Sequence, residues 1–176
     1  SIIYYIRAIF NILNQQKEVI IMYSPTYGKI SDEKMIELIG DFIEKSPDSS
    51  YNISVGTDSQ NFKCTKTVVV VAIHRVGNGG IFFYDIKRVE KINNLSQKLF
   101  FETSISLDIA TKLSEALEKE EIDFGISIHV DAGKLGQSSK LIPEIVGWIK
   151  ACGFGCETKP NSYAASSIAD KYTKTP

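Results

Sequence analysis

Tyr51-Asn52-Ile53-Ser54-Val55-Gly56-Thr57-Asp58-Ser59-Gln60 is the stretch that decides the fold. Tyr51 to Val55 reads as a buried strand, and Asp58 stands at its carboxyl end. A carboxylate there is costly to desolvate unless a cation or hydrogen-bond donors offset the cost. Phe124 to Val130 repeats the pattern and ends in Val130-Asp131-Ala132-Gly133. Side-chain alternation puts Asn52, Ser54, Gly56 and Asp58 on one strand face, and Ser127, His129 and Asp131 on one face of the other. If these strands are parallel neighbours, their aspartates sit side by side at the carboxyl ends, where open α/β sheets keep their sites.

Outward from this pair, Thr67 to His74 is a β-branched run suited to a strand. Gly77-Asn78-Gly79-Gly80 is a hairpin turn, and Ile81 to Val89 is the return strand. Asn94 caps a long helix reaching about Glu120, with Gln97 in the capping-box position. Leu141 to Cys152 is a helix that Gly153 terminates, and Gly155 to Thr158 is a short fifth strand. Lys159-Pro160-Asn161-Ser162 opens a last helix through Asp170. Upstream, Ser31 caps a helix whose Met35, Ile36, Leu38, Ile39, Phe42 and Ile43 form an apolar stripe. Ser24-Pro25-Thr26-Tyr27-Gly28 reads as a turn or extended arm. The expected class is α/β: a five-stranded mixed sheet, three antiparallel strands then two parallel, flanked by helices. Its expected divisions are an N-terminal extension over 1–21, helical; an arm and N-terminal helix over 22–50; and the main domain over 51–176.

At 176 residues, 43% apolar and 23% charged, the chain has the composition of one globular domain with a real core. A formal net charge of -1 gives no global attraction to nucleic acid, so such binding needs a local basic patch. Three cysteines without paired zinc knuckles read as reduced thiols in a cytoplasmic protein. Ile2 to Leu13 is apolar but interrupted by Arg7, and falls short of the roughly 20 residues of a membrane span. No small-residue cleavage site follows it, which argues against a secretory signal.

Two further acids join the aspartates. The apolar seam of the long helix reads Leu95, Leu99, Glu102, Ile109 and Leu113, with Glu102 where a hydrophobe is expected. Asp170 follows Ala164-Ala165-Ser166-Ser167-Ile168-Ala169, small residues that let a helix approach a sheet closely. Four oxygen ligands suit Mg²⁺ or Mn²⁺ better than zinc. Two such ions serve an in-line phosphoryl displacement. Each acid has a plainer reading: a strand-end cap for Asp58, a buried ion pair for Glu102, a surface charge for Asp170. Oxygens scattered in the fold, or individually tied up by lysine and arginine partners, would end the enzyme reading. His129 shares the face of Asp131 and is a core histidine, or alternatively a ligand or proton shuttle. Ser59, Gln60, Lys134, Lys159 and Lys171 are candidate substrate contacts around the acids, with solvated surface charge the alternative for the lysines. Gly133-Lys134-Leu135-Gly136 lacks the spacing of a phosphate-binding Walker loop.

Gly56-Thr57-Asp58-Ser59-Gln60, Phe101-Glu102-Thr103-Ser104, His129-Val130-Asp131-Ala132-Gly133, and Lys159-Pro160 with Ala165 to Thr173 resemble the YkuK-like family, regarded as ribonuclease-H-like. The resemblance covers roughly Tyr23 to Lys174. It implies a ribonuclease-H-like fold and an Asp, Glu, Asp, Asp order on first strand, first helix, fourth strand and last helix. Asp58, Glu102, Asp131 and Asp170 fall in that order. It further implies hydrolysis of phosphodiester bonds in RNA, DNA or an RNA-DNA hybrid with Mg²⁺ or Mn²⁺. Many ribonuclease H enzymes carry a histidine on a mobile loop near the last acid, and this chain has none there. The alternatives are a non-catalytic module binding nucleic acid or protein, and, last, an ATP-binding relative, which would need a second such domain.

Overall fold

The computed structural model describes residues 20–133, 136–162 and 164–174. At its centre is β3 (Tyr51–Asn61), the strand carrying Asp58, paired along its whole length with antiparallel β4 (Thr65–Arg75). β4 pairs antiparallel with β5 (Gly80–Val89) across a turn in which Gly77 and Gly79 take φ values of 79° and 73°. Those left-handed values are the reason glycine stands at both positions. On its other side β3 runs parallel to β6 (Ile126–Val130), and β6 parallel to β7 (Gly155–Thr158). The three antiparallel and two parallel strands read from the sequence are therefore present in that order.

The sheet is larger than the five strands expected. β1 (Ile21–Ser24) and β2 (Gly28–Ser31) form a hairpin around Pro25-Thr26-Tyr27, and β1 pairs with β5. The result is seven strands in the order β2-β1-β5-β4-β3-β6-β7. Two four-residue strands are too short to show a period, so the segment reads as an arm until β5 offers an edge to pair with. Residues 1–19, where most of the expected helical extension falls, lie outside the described residues. Ile20 is buried and Ile21 opens β1.

The helix starts follow their caps. Ser31 Oγ accepts from the Lys34 amide at 3.3 Å to start α1 (Asp32–Glu44), which buries Met35, Ile36 and Ile39. Asn94 Oδ1 accepts from the Gln97 amide at 2.9 Å to start α2 (Leu95–Lys119). Along α2 the seam Leu99, Glu102, Ile109 and Leu113 is buried, whereas Leu95, one turn earlier, is exposed. A 3-10 turn (Gln137–Leu141) leads into α3 (Ile142–Ala151), and α4 (Ala164–Thr173) runs three residues past Asp170.

These helices divide unequally between the sheet faces. α1, α2 and α3 share one core with Ile53, Val55, Val69, Val71 and Phe83. α4 lies on the opposite face, with Ala165 and Ala169 against Val68, Val70 and Ala72. Gly56 lies directly beneath it: a Cβ there would meet Ala165 Cβ at 3.0 Å and the Ser166 amide nitrogen at 3.1 Å. The small residues on both sides set this close approach, and with it the height at which Asp170 meets the sheet. No helix among the described residues is long and apolar enough to cross a membrane.

Candidate active site

The parallel register of β3 and β6 positions the first two acids. Ile53 pairs with Ile126 and Gly56 with His129, and the same offset carries Asp58 level with Asp131. Asp58 shares the face of Gly56, under α4, and its Oδ2 accepts from Thr173 Oγ1 at 2.5 Å. Glu102 comes from α2 on the other face and accepts a short hydrogen bond from Ser59. Asp170 descends from α4. The four acids therefore gather from both faces of the sheet. The charges of Asp131 and Asp170 are felt at Asp58, and those of Asp58 and Asp131 at Glu102.

Burial dominates the ionisation of the inner two. Glu102 is 8% exposed, and its carboxyl is pushed up to about 8, chiefly by desolvation; the Ser59 bond opposes this, and the charges of Asp58 and Asp131 add to it. Asp58 is raised by burial first, against the Thr173 bond, with Asp131 and Asp170 adding repulsion. Lys98, one turn before Glu102 on α2, draws both acids down. Neither makes an ion pair among the described residues.

The outer two acids are different. Lys159 Nζ lies 2.6 Å from Asp131 Oδ1, and Lys174 Nζ lies 2.6 Å from Asp170 Oδ2. Both ammonium groups are raised, first by those hydrogen bonds and then by the neighbouring carboxylates. Their side chains are 58% and 68% exposed, so these are surface pairs of small worth that exchange readily. Individual pairing thus holds for Asp131 and Asp170 and fails for Asp58 and Glu102. As they stand, no three His, Cys, Asp or Glu side chains among the described residues are grouped to hold a metal ion. The donor chemistry nonetheless fits one: a buried and a half-buried carboxyl lack a cationic partner among the described residues, and two more are held by lysines that a divalent ion would displace.

The remaining candidates spread out. Ser59 is 2% exposed and committed to Glu102, so it orients that acid. Gln60 is exposed on β3, Lys171 is exposed on α4, and Lys159 holds Asp131. Lys134 lies outside the described residues. His129 is buried on the face of Asp131, its Nδ1 has no hydrogen-bond partner among the described residues, and burial lowers its pKa. Sequence reading missed Lys98, Thr173 and Lys174. The signal was helical spacing, since Lys98 lies four residues before Glu102, and Thr173 and Lys174 lie three and four residues after Asp170.

Comparison with known proteins agrees with this architecture. The family model described as Ribonuclease H-like matches residues 34–174. A Bacillus subtilis (strain 168) protein named "Uncharacterized protein YkuK" is 31% identical over 167 residues, covering 88% of this chain and 97% of its own. No solved structure matches. With the carboxylate order already in place on the mixed sheet, these matches make the chain a member of the ribonuclease H-like family, YkuK-like in kind, which supports a nuclease or nucleic-acid-binding module.

Proposed function

We propose that the protein is a divalent-metal-dependent nuclease that hydrolyses phosphodiester bonds in RNA or DNA. The observation that carries this reading is a buried Glu102 and a half-buried Asp58 without an ionic partner among the described residues, flanked by Asp131 and Asp170. Uncompensated buried carboxylates are expensive, and a cation is the ligand that offsets them. Asp58, Glu102, Asp131 and Asp170 would hold Mg²⁺ or Mn²⁺. Two such ions, when bound, acidify an attacking water and offset charge on the leaving oxygen of an in-line displacement.

The chain's own groups prepare that chemistry. Ser59 fixes the rotamer of Glu102, and Thr173 fixes that of Asp58. Glu102 would be held in its ionised form beside a bound divalent cation, because the positive charge would offset the desolvation that raises its carboxyl. Lys159 and Lys174 turn from Asp131 and Asp170 toward the substrate phosphate, which keeps their charges compensated. The free thiols of Cys64, Cys152 and Cys156 support a cytoplasmic setting.

Cleavage of labelled RNA and DNA oligonucleotides with and without Mn²⁺ tests this. The protein should cut only with the metal, and Asp58→Asn should abolish cutting while unfolding at a similar denaturant concentration. Undiminished cleavage by Asp58→Asn would exclude the mechanism. One observation favours a non-catalytic module instead: Lys159 and Lys174 already neutralise two of the acids. Absence of Mn²⁺ binding at millimolar concentration in calorimetry would decide for that alternative.

A further inference from the structure

A helix is about 10 Å across, whereas strands stand about 4.8 Å apart. α4 packs over β3 and β4, and among the described residues no second helix joins it on that face. Among the described residues no other element covers the same side of β1, and the ladder that leads to it from α4 is aromatic. Tyr84 of β5 stacks on Tyr172 of α4 with ring centroids 4.3 Å apart, and on Tyr23 of β1 at 5.8 Å. Phe82 joins them 6.4 Å from Tyr84. Tyr23 is 38% exposed at the outer end of this ladder. Phe82, Tyr84 and Tyr172 are half-buried behind it, so Tyr23 is an exposed ring on a rigid stacked support, a feature that suits an interaction site.

On β1, β2 and β5 the charges of this face have one sign. Lys29 pairs in register with Tyr23, and Arg88 lies beyond Ile86 on the ladder's side of β5; both are exposed. Side-chain alternation puts no aspartate or glutamate of β1, β2 or β5 on this face among the described residues. Between this face and the acidic site lies α4, with Val68 buried beneath it. Asp58 pairs with Val68 and Val68 with Ile86, so the carboxylates and the strand bearing Tyr84 and Arg88 stand two strand spacings apart, about 10 Å, on either side of that helix.

We infer that this open face is a track for single-stranded nucleic acid, with bases stacking on the Tyr23 end of the ladder and phosphates meeting Lys29 and Arg88. The inference rests on the nuclease reading and deepens it, because it names the substrate as an unpaired strand. Aromatic platforms flanked by cations suit such strands, since every base has a π-face and every linkage a charge. A duplex offers no free base face to the ladder.

Fluorescence anisotropy with fluorescein-labelled oligo(dT) and oligo(U), in EDTA so that nothing is cut, tests the track. Tyr23→Ala should weaken binding about tenfold and Tyr23→Trp should retain it. Arg88→Ala should lower the salt dependence of log K by about one phosphate contact. It also preserves the test if Tyr23→Ala fails to fold. No binding by the wild type, or no change in either variant, would overturn the inference. So would self-association abolished by Tyr23→Ala in a protein that binds no oligonucleotide, which would give the face to a second copy. Binding in EDTA without cleavage in Mn²⁺ would sink the nuclease reading alone. Mn²⁺-dependent cleavage with unaltered KM in Tyr23→Ala would sink the track alone.

Discussion

Replacing Glu102 by Gln removes one ionisable group from the centre of the site while keeping its shape and an acceptor for Ser59. In the unfolded chain the carboxyl loses its proton near its ordinary value of 4.5, but in the folded protein it holds that proton to about 8. Between those values the folded state binds more protons than the unfolded state, so stability falls as pH rises. The cost reaches at most about 5 kcal/mol above pH 8. Gln carries none of it. Urea unfolding in EDTA at pH 5, 7 and 9 should show Glu102→Gln gaining on the wild type at each step and levelling off beyond pH 8. Saturating Mn²⁺ should reverse the order, because the cation stabilises the ionised wild type and finds one ligand fewer in the variant. A stability difference independent of pH would refute the account of Glu102 as a buried acid without an ionic partner.

Three other perturbations probe separate parts of the argument. Lys174→Ala frees Asp170 and should tighten Mn²⁺ binding severalfold by calorimetry; weaker binding would mean that the lysine supports the site. Gly56→Ala pushes a methyl into Ala165 and the Ser166 backbone. It should cost about 1–3 kcal/mol in urea unfolding and reduce metal affinity by lifting Asp170, so a neutral result would contradict the close packing of α4. Asn94→Ala removes the cap of α2 and should cost about 1 kcal/mol, read by the same unfolding assay, with Mn²⁺ affinity unchanged.

The parts of this molecule written in local chemistry were legible from the sequence. The β-branched run of β4, the glycine turn before β5, and the Asn94 and Ser31 caps each carry their own signal. The acids were legible for a related reason: Glu102 interrupts an apolar seam, and Asp58 and Asp131 follow apolar runs of matching alternation, although β3 continues three residues past Asp58. The hairpin of β1 and β2 was not, because a four-residue strand is defined by the edge it joins and not by its own pattern. Nor were the lysine pairs. Lys174 is one exposed lysine among several at the end of the chain until the register of α4 on β3 and β4 brings Asp170 to the rim. The open aromatic face was hidden for the same reason, since Tyr23, Tyr84 and Tyr172 are separated in sequence and meet only through β1, β5 and α4.

Crystals grown with Mn²⁺, read by anomalous scattering, test the proposed site most directly. The account predicts manganese held among Asp58, Glu102, Asp131 and Asp170, with Lys159 and Lys174 turned away from their present partners. A map without anomalous density among these four residues, with both lysine pairs intact at millimolar Mn²⁺, would contradict it.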